Sequence, residues 1–254
     1  VADGAHYGGM IDPRLDETGI DSWAIAGHKW QCGPGGTGIL YIRNRQHPAN
    51  PTPLPRFHII RSSARDIPFD GSRPADFDIG AAMSRYGFPE SADWRALGDV
   101  CALWDEIGRA RIQAWSHNLA DYLRSRVAAT FGDDALMQPT VDPALKSAIV
   151  CFNPFPGDEQ RRNPDVNLQF RERLLREYGF RISGGGVGPD GFTRAPDPQA
   201  AAFPTGLIPN RDPDTLAPKP FGYALRVNAC VWNSVVQMDQ FVDATQDLVR
   251  KMTA

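Results

Sequence analysis

Four residues near the start of the chain carry side chains whose types and spacing can do chemistry: Asp3, His6, His28 and Lys29. The lysine follows a histidine directly, at the end of the apolar run SWAIAG (22–27), and precedes a glycine- and proline-built loop, Gly33-Pro34-Gly35-Gly36. A lysine amine condenses with an aldehyde to a Schiff base, and pyridoxal phosphate becomes an electron sink only if a carboxylate keeps its ring nitrogen protonated. Asp3 offers that carboxylate. His6 and His28 offer ring nitrogens able to hold a phenolic oxygen or a phosphate. Singly, each residue has a plainer reading: Lys29 as a solvated surface lysine, Asp3 as a turn or cap residue, either histidine as a hydrogen-bonded structural group. Their combination, each at the end of a strand-like run where open α/β sheets place ligands, favours the chemical one.

The elements that must position these residues are legible from periodicity. VADGAH, SWAIAG (22–27) and GILYIR (38–43) are short apolar runs bounded by glycine or polar residues, and predict a mixed sheet. HPANPTPLP (47–55) opens an extended surface loop running to about Asp78. From Asp93 to Gly132, Trp94, Leu97, Cys101, Trp104, Ile107, Ile112, Trp115, Leu119, Tyr122 and Leu123 recur at intervals of three and four, predicting one long amphipathic helix or two collinear ones. A strand at SAIVCF (147–152), a helix from Pro164 to Tyr178 ended by Gly179, a strand at FRIS (180–183) and a strand at YALRVNA (223–229) follow. The final helix begins at a capping box, Ser234 with Gln237, ahead of the apolar positions Met238, Phe241, Val242 and Leu248. Residues 184–218 show no periodic element and are expected to border a site.

With 254 residues, 42% hydrophobic and 22% charged, the composition is that of a globular protein. A net charge of -3 and scattered arginines exclude the basic surface that nucleic acid requires. The four cysteines (Cys32, Cys101, Cys151, Cys230) form no C-x-x-C pair and read as free thiols. Cys32 lies close to Lys29, but no base is positioned to activate it, so a structural thiol is preferred. A metal site from His6, His28 and Cys32 lacks ligand spacing, and no metal is expected. No stretch approaches the roughly 18 apolar residues of a membrane span. The opening VADGAHYGG has neither the basic nor the apolar part of a signal peptide. The chain reads as soluble, without membrane partners, its compartment (cytoplasmic or bacterial periplasmic) left open.

DGAH followed by DSWAIAGHKWQCGPGGTGILYIR resembles the class V aminotransferase group of fold-type I pyridoxal-phosphate enzymes, especially isopenicillin N epimerase-like members. The resemblance implies that Lys29 forms the Schiff base with the cofactor, Asp3 pairs with the pyridine nitrogen, His6 meets the phenolic oxygen and His28 lies near the phosphate. Downstream, YALRVNACVWNSVVQMDQFVDA is similar to the family's terminal strand and helix, which implies that Arg226 binds a substrate carboxylate; a planar guanidinium that stays charged suits that task. The expected fold is α/β, with residues 1–114 the latter part of the cofactor-binding large domain, including the start of a connecting helix, and 115–254 the small C-terminal α+β domain.

Two positions depart from the family pattern. Ala26 stands where a phosphate-binding Ser or Thr is usual, and Arg85-Tyr86-Gly87-Phe88 carries phenylalanine in place of the threonine of R-x-G-T. The phosphate loop and ring-stacking aromatic expected before the aspartate are not in the chain, which begins at Val1 and reads as the latter part of a longer enzyme. The implied function is Schiff-base exchange on the amino group of an amino acid or peptide-linked residue, by a homodimer with segment 44–90 at its interface. Peptide siderophore tailoring is one form of that activity. A cysteine desulfurase or lyase is an alternative, disfavoured because residues 184–220 hold no cysteine. A noncatalytic interaction module is a second alternative, motivated by Ala26 and Phe88. Trp30 and Tyr41 read as core or interface aromatics.

Overall fold

The computed structural model describes residues 1–15, 17–43, 91–137, 146–187 and 222–254. The chain divides into two compact units, Val1–Ala114 and Trp115–Ala254. Segment 44–90, with Arg85 and Phe88, lies outside the described residues, as does most of the 184–218 connection.

The first unit is built on a three-stranded mixed sheet, β1 (Ala2–Asp3), β2 (Ser22–Ala26) and β3 (Gly38–Ile42), in that order. β1 runs parallel to β2, with Asp3 beside Ala24, and β3 runs antiparallel to it, with Ala26 beside Gly38. The indole of Trp23 is buried and lies over Gly4, where an added Cβ would fall 1.7 Å from Trp23 Nε1. That contact accounts for the glycine of DGAH.

The long periodic stretch is two helices, α1 (Ser91–Ile107) and α2 (Arg109–Phe131), separated at Gly108, whose φ of 95° no helix accommodates. Leu97, Trp104, Ile112, Leu119 and Leu123 are buried as the periodicity predicts, but Trp94 and Trp115 keep 42% and 43% of their surface exposed. The repeat identifies a face; it does not say how wide a part of that face is covered. α1 and the start of α2 grip the loops of the first unit. Trp104 Nε1 donates to Gly9 O (3.1 Å) and Arg109 Nη1 to Gln31 Oε1 (3.1 Å).

The second unit contains β4 (Ile149–Phe152), α3 (Asp158–Arg162), α4 (Pro164–Tyr178), β5 (Ser183–Val187), β6 (Gly222–Asn228) and α5 (Val235–Thr253). Its sheet is antiparallel, ordered β4-β6-β5. The expected strand at 180–183 is displaced toward the C-terminus. β5 begins where that strand was expected to end and uses Gly184, Gly185 and Gly186 as ladder residues against Leu225, Ala224 and Tyr223. Glycines carry no side-chain period, so only the pairing with β6 reveals them as strand. α4 starts at Asn163, whose side chain accepts from the backbone N–H of Asp165 and Val166, and ends at left-handed Gly179. α5 carries the expected capping box. Phe152, Phe155, Phe170, Leu174, Leu225, Phe241 and Leu248 form the core, with Phe155 edge-on to Phe170 at 5.6 Å.

A polar pair inside this core ties three elements together. Asn153 Nδ2 donates to Tyr223 O (2.7 Å) and to Asn167 Oδ1 (3.0 Å), while Asn167 Nδ2 donates to Gln160 O and Asn163 O (both 2.8 Å). Asn167 is fully buried, so removing its amide strands partners that water cannot reach. Asn167→Ala is expected to lower stability by about 2–4 kcal/mol in urea unfolding followed by circular dichroism, with the m-value unchanged. A loss under about 1 kcal/mol would mean that the network is not energetically coupled to the fold.

Candidate active site

Because β1 and β2 are parallel, their carboxyl ends open on the same sheet edge. From β1 the chain bonds once more to β2, Gly4 N to Ala24 O (2.8 Å), then turns with Tyr7 N donating to Gly4 O (2.8 Å), which places His6 on that edge. From β2 it enters a closed loop, Gly33 N donating to Gly27 O (2.7 Å) and Cys32 N to Lys29 O (3.0 Å), which carries His28 and Lys29 exposed at its tip.

The two loops meet through their main chains. At Gly9, φ is 83° and an added Cβ would lie 2.3 Å from Trp30 O and 2.4 Å from Gln31 N. In the 33–36 loop, close approach is confined to Gly33, which faces Leu97 and Gly27 O; Gly35 and Gly36 face open space.

The result is a contact between two of the four residues. Lys29 Nζ stands 3.3 Å from His6 Nε2, and Trp30 Nε1 donates to His6 Nδ1 at 3.2 Å. Asp3 is exposed at the end of β1, and its Oδ1 accepts from Ala5 N (2.9 Å), a turn-forming bond like that of its plainer reading. A primary amine held against an imidazole, with a carboxylate on the neighbouring strand end, is a set able to capture an aldehyde and to move protons beside it. Cys32 has φ 61°, its thiol is pushed up by burial, and Sγ donates to Trp30 O at 3.5 Å. This is a protonated structural thiol holding the turn, not an activated nucleophile.

Arg226 belongs to the second unit. It lies at mid-strand in β6, in register with Cys151 of β4 and Ser183 of β5. Leu225 and Val227 point into the core, so Arg226 takes the opposite face of the sheet. Its Nη2 approaches Ser183 Oγ at 3.5 Å, and its buried Nε has no hydrogen-bond partner among the described residues. Burial raises the Cys151 thiol, against the opposing pull of the Arg226 and Arg124 charges. A guanidinium with a buried N–H that no described residue satisfies suits an anionic oxygen.

Sequence reasoning assigned no active part to Trp30, Gly9 or Ser183. Trp30 had a usable signal: a tryptophan beside the candidate lysine, just after an apolar run, must satisfy its indole N–H when buried. Gly9 and Ser183 had none, because each depends on a partner distant in the chain. Among the described residues no group of three His, Cys, Asp or Glu could hold a metal ion, and no helix is long and apolar enough to cross a membrane.

Residues 1–157 match the family model of aminotransferase class-V. Isopenicillin N epimerase of Streptomyces clavuligerus is 28% identical over 166 residues, 63% of this chain and 39% of that protein. The isopenicillin N epimerase of Amycolatopsis lactamdurans is 24% identical over 161 residues, with the same coverage. Among solved structures, the apo cysteine desulfurase of Thermococcus onnurineus NA1 superposes with a TM-score of 0.63 at 20% identity, over 98% of this chain and 52% of that one. A cysteine desulfurase of Escherichia coli gives 0.56 at 19% identity, over 98% and 51%. The fold is therefore that of fold-type I pyridoxal-phosphate enzymes. The chain spans 39% of the curated relatives and about half of the desulfurase chains.

Proposed function

We propose, from the premise that this chain belongs to the aminotransferase class-V family, a pyridoxal-phosphate-dependent enzyme acting on the amino group of an amino acid or of a residue in a small peptide. The observation that carries this reading is the 3.3 Å approach of Lys29 Nζ to His6 Nε2 at the carboxyl ends of two parallel strands. The donor set fits the cofactor: an amine for its aldehyde, an imidazole nitrogen for its phenolic oxygen and a carboxylate for its ring nitrogen. Ala26 brings no hydroxyl, so His28, exposed on the lysine turn, is the phosphate-side residue of this proposal.

Pyridoxal phosphate, when bound, supplies an electron sink that weakens the bonds at the substrate Cα. Lys29 would hold the cofactor aldehyde, and its free amine would take up or return a proton at the substrate Cα. Asp3 would keep a proton on the ring nitrogen, and His6 would offer Nε2 to the phenolic oxygen. Arg226, whose Nε has no hydrogen-bond partner among the described residues, would bind a substrate carboxylate through two N–H groups. Residues 1–114 form the latter part of the cofactor-binding domain and 115–254 the small domain, in a protein that works as a homodimer. The relatives named isopenicillin N epimerase favour an epimerase-like activity; the likeness to desulfurases is one of fold, and residues 184–220 contain no cysteine to serve their reaction.

The test is the visible spectrum of the full-length protein with added pyridoxal phosphate, before and after borohydride reduction, with mass mapping of the adduct. The expected result is a yellow protein whose colour is lost on reduction, with the added mass on Lys29. A colourless protein with no adduct would overturn the assignment and leave the noncatalytic module as the better reading.

A further inference from the structure

The three-residue chain Trp30, His6, Lys29 has a polarity that its distances alone do not state. An indole nitrogen only donates, so His6 Nδ1, 3.2 Å from Trp30 Nε1, is the acceptor. A neutral imidazole that accepts at Nδ1 carries its proton on Nε2, the nitrogen 3.3 Å from Lys29 Nζ. The donor is the fixed member. Trp30 is buried, its carbonyl is packed against Gly9, and its neighbour Gln31 is held by Arg109, whereas His6 is half-buried on a turn.

We propose that Trp30 is a positioning residue for His6: its indole N–H holds the imidazole in the tautomer that aims Nε2–H at the space beside the Lys29 amine. An ammonium accepts no hydrogen bond, so Lys29 can accept from that N–H only as the neutral, nucleophilic amine, and an acceptor oxygen placed next to it can accept in its stead. The arrangement therefore selects an aldehyde bearing a hydroxyl oxygen on the adjacent ring carbon over one lacking it. This rests on the assignment of Lys29 and His6 above, and extends it to a residue that acts through His6.

Two measurements on the full-length protein test it. In cofactor-free protein labelled with ¹⁵N in its indole and imidazole rings, a coupling across the hydrogen bond between Trp30 Nε1 and His6 Nδ1 is expected, together with a proton on His6 Nε2. Its absence, or a proton on Nδ1, would overturn the proposal whether or not the protein binds a cofactor. The second measurement is the ratio of affinities for pyridoxal phosphate and 3-deoxypyridoxal phosphate, which lacks the phenolic hydroxyl. Trp30→Phe is expected to reduce that ratio by about threefold to tenfold, the worth of one well-placed hydrogen bond. In a His6→Ala background the same substitution is expected to leave the ratio unchanged. Equal weakening of both aldehydes, or the same ratio change without His6, would make Trp30 a packing residue only. Failure of the wild type to bind either aldehyde would sink the cofactor assignment, and the coupling would still decide whether Trp30 holds His6.

Discussion

Replacing Lys29 by alanine is expected to lower catalysed exchange of the Cα hydrogen of amino acids in D₂O by about 10³-fold or more, and to abolish the borohydride-fixed adduct. Lys29 is exposed at the tip of its loop, so the loss arises from chemistry and not from folding. The variant should unfold within about 0.5 kcal/mol of the wild type, as surface substitutions do. Lys29→Arg makes the argument sharper. It keeps the positive charge beside His6 yet cannot offer a neutral primary amine, so it should be as inactive as the alanine variant. If the arginine variant kept a tenth or more of the wild-type exchange rate, Lys29 would be a charge partner and not the group that captures the aldehyde.

The second large effect concerns the scaffold beneath that lysine. Gly9→Ala should destabilise the protein by about 3–5 kcal/mol, because two independent penalties add: a φ of 83° that alanine rarely adopts, and a Cβ within 2.4 Å of the Trp30–Gln31 main chain. Backbone cannot rotate aside as a side-chain tip can, so relief requires the 27–33 loop to move away from the turn carrying His6. Loss of cofactor binding should therefore accompany the drop in stability. Gly35→Ala is the control: nothing lies within 4 Å of its Cβ, and its effect should stay below about 0.5 kcal/mol. Thermal unfolding of the three proteins checks the ranking, and near-equal stabilities for Gly9→Ala and the wild type would refute the account of how the two loops are joined.

The candidate set near the start of the chain was legible before any fold, because Schiff-base formation would need a lysine amine and its cofactor a carboxylate, and both lie at the ends of strand-like runs. The second unit was similarly legible where local rules decide. Pro164 and Gly179 bound α4, and Ser234 with Gln237 starts α5, because caps satisfy backbone groups within one turn. The break of the long periodic stretch at Gly108 left two options open, and the observed φ of 95° selects two helices.

By itself the amino-acid sequence determined the family-bearing motifs and the elements whose hydrogen bonds close within a few residues, and it supplied the residue types on which the proposed chemistry rests. Tertiary structure alone decided the rest. β5 exists as a strand because β6 lies beside three glycines, Arg226 keeps a buried N–H because of the row formed with Cys151 and Ser183, and Trp30 meets His6 because Gly9 lets two loops touch. In each of these cases the stabilising contact joins residues far apart in the chain, and no periodicity or cap within either segment records its partner.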